Sequence, residues 1–186
     1  MNKIKVLGFA GSLRKGSANR SLIKNAVKLA PGHIQIETFD LSPIPLFNQD
    51  IEKESGEPDS VKEFKSKIAE ADSLLIAVPE YNYSVSGVLK NAIDWASRPA
   101  SATPLAGKPF AMMSAGGGLG GARAQYHFRQ IAVVLNMYPL NKPELMVPNS
   151  WEKFDRDGNL LDTSVEQKIK NILDGLYEWT IKLKSK

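Results

Sequence analysis

The sequence predicts an α/β fold: a doubly wound parallel sheet of five strands with helices on both faces. Three observations predict it. Strand-like and helix-like patterns alternate from one end of the chain to the other, the order that parallel β-α-β units require. Segment 73–78 (Ser-Leu-Leu-Ile-Ala-Val) has almost no polar interruption, as a strand covered on both faces should. The 186 residues read as one domain, 1–186, large enough to bury a full α/β core.

Taken in order, residues 4–9 (Ile-Lys-Val-Leu-Gly-Phe) form the first strand and residues 19–30 the first helix. Ile34, Ile36 and Phe39 mark the second strand. Residues 40–58, with Pro43, Pro45 and Gly56, read as a long loop, part of a cleft wall or of a subunit contact. Residues 59–71 form an amphipathic helix with Val61, Phe64, Ile68 and Ala71 on one stripe. After the third strand at 73–78, residues 85–96 form a helix that turns Val88, Leu89, Ala92 and Trp95 or Ala96 inward. Residues 110–114 are the fourth strand, 122–136 a long helix and 145–147 a short fifth strand. Val165, Ile169, Ile172, Leu173 and Leu176 recur at helical spacing in a C-terminal helix. A dinucleotide-binding double fold is usually longer, so the flavodoxin-like order 2-1-3-4-5 fits better. In that order ligands sit at the carboxyl ends of strands 1, 3 and 4, where loops 10–19, 79–86 and 115–122 gather.

Composition narrows the function classes. Apolar residues make up 42% and charged residues 24%, ordinary globular usage that excludes a disordered chain. No apolar run approaches the ~20 residues needed to cross a bilayer, and no signal-peptide pattern precedes the first strand. With no cysteine there is no disulfide, thiolate zinc site or thiol nucleophile. The expectation is a cytoplasmic protein with no membrane partner. The formal charge is +4, but apart from the tail 182–186 the lysines are scattered over amphipathic helices. No nucleic-acid reading motif or basic-aromatic stripe occurs, so nucleic acid is not an expected partner.

The three loops differ in chemistry. Gly11-Ser-Leu-Arg-Lys-Gly-Ser17 runs from a strand into a helix N-terminus, which carries unpaired N–H groups and the positive end of the helix dipole. Ser12 and Ser17 add hydroxyls, Asn19 an amide and Arg14 a guanidinium, together a receptor for a phosphate group. The loop is neither a G-x-G-x-x-G fingerprint nor a G-x-x-x-x-G-K-[ST] loop. The second loop, Pro79-Glu-Tyr-Asn-Tyr-Ser84, offers a planar, amphipathic wall suited to a flat heteroaromatic ring. Asp94 and Trp95, further along, read as packing or capping residues. The third loop has five glycines within 116–121, whose main-chain N–H groups allow close approach to a ligand edge.

On these residues the chain resembles the NADPH-dependent FMN reductase family, in its quinone, chromate and azo-dye reductase branch. The matching stretches are 11–19 (Gly-Ser-Leu-Arg-Lys-Gly-Ser-Ala-Asn), 79–84 with 87–95 (Gly-Val-Leu-Lys-Asn-Ala-Ile-Asp-Trp), and 114–118 (Ser-Ala-Gly-Gly-Gly). Their order and separations agree over roughly the whole chain. The resemblance implies non-covalent FMN, with NADPH or NADH as co-substrate. The phosphate would lie on Ser12, Arg14, Ser17 and Asn19, with Gly11 and Ala18 in the same turn. Pro79, Glu80, Tyr81, Asn82 and Tyr83 would frame the isoalloxazine, with Ser114, Gly116, Gly117 and Gly118 along its far edge. It also implies a homodimer or homotetramer using residues 123–127 and Glu144.

The expected activity is passage of two electrons from NAD(P)H through FMN to a small acceptor (a quinone, azo dye, nitroaromatic or chromate) in a ping-pong cycle. The main-chain N–H groups around Gly116 to Gly118 would stabilise charge on the reduced ring. Asn82 and Tyr83 are positioning candidates, and no side chain is assigned as acid or base. NADH or NADPH preference would turn on Arg98, Lys108 or another cation near a 2′-phosphate. The alternative is a flavodoxin-type electron carrier, which its positive charge disfavours. A serine hydrolase using Ser12, Ser84 or Ser86 lacks the G-x-S-x-G elbow, and His33 and His127 read as surface or interface histidines. No metal is expected, since no ligand cluster has the required spacing and Asp155, Asp157, Gly158 and Asn159 read as an Asp-Gly turn.

Overall fold

In the computed structural model, which describes residues 2–185, Ile4–Ala10 (β1) pairs in parallel with Ile34–Phe39 (β2) on one side and Ser73–Ala77 (β3) on the other. Pro109–Ala115 (β6) continues the sheet beyond β3, also in parallel. Alternate residues of β3 serve opposite faces, as a two-residue side-chain period requires. Leu74 and Ile76 join one core with Phe9, Phe64, Trp95 and Phe128, whereas Leu75 and Ala77 join the other with Leu22, Ile169 and Leu173. Every residue of β3 is buried, while β2 at the sheet edge exposes Gln35, Glu37 and Thr38. Each fully buried Leu, Ile or Phe contributes roughly 1.5–3 kcal/mol of apolar transfer.

Helices Ala18–Leu29 (α1) and Thr163–Lys184 (α6) cover one face of the sheet. Asp59–Glu70 (α3), Gly87–Ala96 (α4) and Ala122–Val134 (α5) cover the other. The stripe predicted on α3 packs inward, with Val61, Phe64 and Ile68 wholly buried and the Phe9 and Phe64 rings meeting edge to face at 5.3 Å. This is the flavodoxin-like arrangement that the alternation predicts. No helix among the described residues is long and apolar enough to cross a membrane.

The fifth strand position differs in detail. Tyr138–Pro139 (β7) and Leu145–Val147 (β8) both pair with β6, the first against Pro109 and Phe110, the second against Met113 to Ala115. Two short segments thus share one place, because neither is long enough to span β6. Three further boundaries differ from the periodicity. Residues 40–58 are not all loop: Gln49–Glu54 (α2) is a short helix capped by Asn48, whose side chain accepts from the Asp50 N–H at 2.9 Å. It buries no residue, so it leaves no apolar stripe to read. The helix expected from residue 85 starts at Gly87, because Glu80–Tyr81 (β4) and Ser84–Val85 (β5) form a small hairpin. The helix expected to reach residue 136 ends at Val134, and Asn136 turns the chain with φ of 51°.

Candidate active site

The carboxyl ends of β1, β3 and β6 bring the three loops together. In the first loop, the N–H groups of Ser12 to Gly16 make no hydrogen bond among the described residues, nor do those of Ala18 and Asn19 in the first turn of α1. Ser17 caps α1, its hydroxyl accepting from the Arg20 N–H at 3.5 Å. Arg14 is exposed and forms no ion pair among the described residues. A row of free N–H donors, a helix N-terminus and one unpaired guanidinium are what an anion with several oxygens requires.

Asn19 corrects the expectation. Its amide is not free for a phosphate: Nδ2 donates to the Ala115 carbonyl at 2.9 Å and Oδ1 accepts the Ala115 N–H at 3.1 Å. The side chain ties the first loop to the end of β6, and only its main-chain N–H faces outward tasks. Ser12 is 3% exposed, and its hydroxyl lies 3.3 Å from that of Tyr81, linking the first loop to the second.

The second loop is a two-residue hairpin turn. Asn82 and Tyr83 hold φ of 49° and 69°, left-handed values that match the twist of flanking strands in such a turn. Tyr81 and Tyr83 stay half exposed or more. Glu80 stands in the first strand of this hairpin. Its carboxylate turns to α5, accepting the Arg123 N–H at 3.0 Å and Nη1 at 2.7 Å. The Arg123 guanidinium also lies 3.8 Å from the Tyr83 ring centre. One arginine therefore holds the first strand and the turn of the hairpin, and Glu80 caps a helix whose own Gly121 cap has no side chain. Pro79 precedes this turn and packs against Gly11, where an added Cβ would approach its Cδ at 3.0 Å.

In the third loop the Gly116 N–H is committed to the Val147 carbonyl at 3.1 Å, while those of Gly117, Gly118, Leu119 and Gly121 make no hydrogen bond among the described residues. Neither Gly117 nor Gly118 would bring a Cβ within 4 Å of another atom, so that rim is open. Ser114 lies beneath the loop and not along its edge. It is wholly buried, and its hydroxyl accepts from Gln125 Nε2 at 2.7 Å.

The supporting roles of Ser86 and Gln125 were not legible in the sequence. Ser86 is wholly buried, donating to the Gly11 carbonyl at 2.6 Å while capping α4. A serine just before a helix was the available signal. Gln125 supports Ser114 and Leu145 from below, with no sequence pattern to mark it. Trp95 packs as expected, its indole N–H donating to Pro45 O at 2.9 Å, and Asp94 pairs with Lys90 on an exposed face. His127 Nδ1 lies 3.0 Å from Ser84 Oγ, but no carboxylate bonds its ring among the described residues. No group of His, Cys, Asp or Glu able to hold a metal occurs among the described residues. Asp155 closes its own turn, accepting the Asp157 and Asn159 N–H groups at 2.9 and 2.7 Å.

Lys108 and Arg98 stand at the other end of the sheet. Lys108 precedes β6 and donates to Ala71 O at 2.6 Å, and burial pulls its ammonium pKa below the ordinary lysine value. Arg98 follows α4 and pairs with Glu52. Neither reaches the loops.

Residues 4–152 match the family described as NADPH-dependent FMN reductase. The chain belongs to that family. Among its relatives, an NAD(P)H-dependent FMN reductase from Pseudomonas aeruginosa is 49% identical over 182 residues, covering 97% of each chain. An NAD(P)H:quinone oxidoreductase from Solanum tuberosum is 49% identical, covering 98% of this chain and 96% of its own. A solved structure of FerB, a flavoenzyme NAD(P)H:(acceptor) oxidoreductase from Paracoccus denitrificans, superposes with a TM-score of 0.86 at 32% identity, covering 96% of this chain and 98% of that one. The family's group, FMN, fits the donor set: free N–H groups and Arg14 at a helix start for a phosphate monoester, exposed tyrosines and two open glycine N–H groups for a flat ring.

Proposed function

We propose that FMN binds across the three loops and that this NAD(P)H-dependent oxidoreductase passes two electrons to small acceptors of the quinone type. The observation that carries the binding reading is the row of N–H groups from Ser12 to Gly16, unpaired among the described residues, beside an Arg14 likewise unpaired there at the start of α1. When bound, FMN supplies the redox chemistry, accepting a hydride from NAD(P)H and returning two electrons to the acceptor.

The residues do the rest. Ser12, Arg14, Ser17 and the N–H groups of Ala18 and Asn19 hold the phosphate end. Tyr81, Asn82 and Tyr83 frame the ring, kept in place by Arg123 through Glu80 and the Tyr83 face. The Gly117 and Gly118 N–H groups would stabilise negative charge at the ring edge, being held in the loop before reaction. Donor and acceptor use one open rim in turn, which is ping-pong order. No side chain here is assigned a proton to move.

The exposed side of α5 supports self-association into a homodimer or homotetramer. Tyr126 is 53% exposed and Val133 and Val134 are each 80% exposed, an apolar strip beside His127 and Gln130. Light scattering on the purified protein reads that directly. A cytoplasmic setting belongs to the same reading and is tested by cell fractionation.

The decisive experiment is to purify the protein, titrate it with FMN and add NAD(P)H. A yellow complex that bleaches with NADPH or NADH, and recolours with a soluble quinone, is the expected result. Failure to take up FMN overturns the proposal. Uptake without steady turnover would instead return the electron-carrier alternative.

A further inference from the structure

The first loop opens onto a cavity of about 1020 Å³ that runs over the start of α1 to the segment after β8. A phosphate on the loop itself would use little of it. Its walls carry six cationic residues, among them Arg14, Lys15, Arg20 and Arg156, against three aspartates. Two of the aspartates are already engaged. Asp155 closes its own turn, and Asp40 accepts the Ser42 N–H at 3.1 Å; Arg20 lies 3.9 Å from Asp40, an ion pair with no hydrogen bond, so its guanidinium donors are not spent there. Arg156 and Lys15 form no ion pair among the described residues.

The far wall is built, not loose. Asn149 and Ser150 donate their N–H groups to Gly117 O and Gly116 O at 3.3 and 2.9 Å, pinning this segment to the glycine loop. Trp151 follows at once and lines the cavity with its indole 67% exposed. The turn bearing Arg156 is tied to α1 by Asn25, which donates to Gly158 O at 2.8 Å, and by Lys24, which donates to Asp157 O at 2.5 Å. An exposed indole beside unpaired guanidinium groups is the chemistry that holds a nucleotide, base on the ring and phosphates on the cations. Lys108 and Arg98 stand at the opposite end of the sheet, whereas the cations of this cavity lie beside the first loop.

We infer that this cavity receives the adenosine-phosphate end of NAD(P)H, with Trp151 as platform for the base and Arg156 and Arg20 as cations for its phosphates. The inference rests on the reading that FMN binds at the loops and is reduced by the dinucleotide. It makes Arg156 and Arg20 the residues through which a 2′-phosphate is read.

The test is calorimetric titration of the FMN-loaded protein with 2′,5′-ADP, which cannot donate a hydride, alongside adenosine and inorganic phosphate at matched ionic strength. The expected result is binding of 2′,5′-ADP that exceeds both controls. Arg156→Ala and Trp151→Ala should each weaken it by about five-fold, with unchanged flavin absorbance. Arg156→Lys should recover most of the charge-dependent part. Equal binding to wild type and both alanine variants overturns the inference, as does inorganic phosphate competing as well as 2′,5′-ADP. Release of FMN by 2′,5′-ADP also overturns it, since the cavity would then belong to FMN alone. A protein that never takes up FMN is read separately, by absorbance before any titration, and fails the functional proposal itself.

Discussion

Asn19 grips Ala115 by both of its main-chain polar atoms, joining two loops that are 96 residues apart in sequence. The amide at the start of α1 thereby sets the distance between the first loop and the glycine loop. Asn19→Ala leaves a buried N–H and a buried carbonyl without partners. The expected loss is about 2–4 kcal/mol of unfolding free energy, since each orphaned group costs about 1–3 kcal/mol. Urea denaturation measures it, and FMN affinity should fall with it because the two loops lose their common anchor. A variant as stable as wild type would mean that the pair does not bear on the fold.

Arg14→Ala separates binding from folding. The side chain is exposed and forms no ion pair among the described residues, so thermal stability should not move. FMN affinity should fall by about 10- to 150-fold, the value of one charge-assisted contact. Flavin fluorescence titration reads the change. Full flavin content after purification would remove Arg14 from the site.

The glycines of the third loop divide into two kinds. Gly120 has φ of 60°, and a Cβ there would lie 2.7 Å from Val147 N. Gly121, with φ of 88°, would place a Cβ 2.7 Å from that of Ser114. Alanine at either should cost at least about 2 kcal/mol, from left-handed strain and backbone clash together. Gly117→Ala meets open space and should leave the melting temperature unchanged while lowering flavin affinity. Melting curves of the three variants, with and without FMN, test the division.

Glu80→Gln tests the hairpin clamp. It removes the charge that pairs with Arg123 while keeping an oxygen for the helix N-terminus, so the stability loss should stay near about 1 kcal/mol. Amide exchange across residues 80–85 should quicken, and turnover should fall more than FMN affinity. Unchanged exchange would show that Arg123 does not hold the turn.

Asp162 caps α6, accepting the Ser164 N–H at 2.8 Å. Hydrogen bonds from Lys153, then Ser164, hold its carboxyl well below the usual carboxylate range, against a smaller opposing effect of burial. Its folded pKa lies below its unfolded one, so its stabilisation is present above about pH 4, the unfolded value. It is lost as pH falls from there through the folded pKa. Asp162→Ala should melt lower than wild type at pH 7, and the two curves should converge as the buffer is taken below pH 4. A constant gap across that range would refute the assignment.

The sheet was legible in sequence because its strands are buried runs and its long helices carry apolar stripes, and both periods survive without knowledge of what they pack against. The short helix α2 was not, since it buries nothing and owes its existence to the Asn48 cap. The hairpin at 80–85 was hidden because two left-handed non-glycine residues at Asn82 and Tyr83 carry only a weak turn signal. Among the site residues, position was legible and orientation was not.

By itself the sequence determined that three unusual loops meet at one rim of a wound sheet, because chain order and the handedness of β-α-β crossovers leave few other outcomes. Which atoms of those loops stay free was decided only in three dimensions. Asn19, Glu80 and Ser114 have the chemistry of ligand-binding residues, yet each spends its polar atoms on neighbours distant in sequence. A hydrogen bond goes to whichever partner packing brings within reach, and that choice has no local signature.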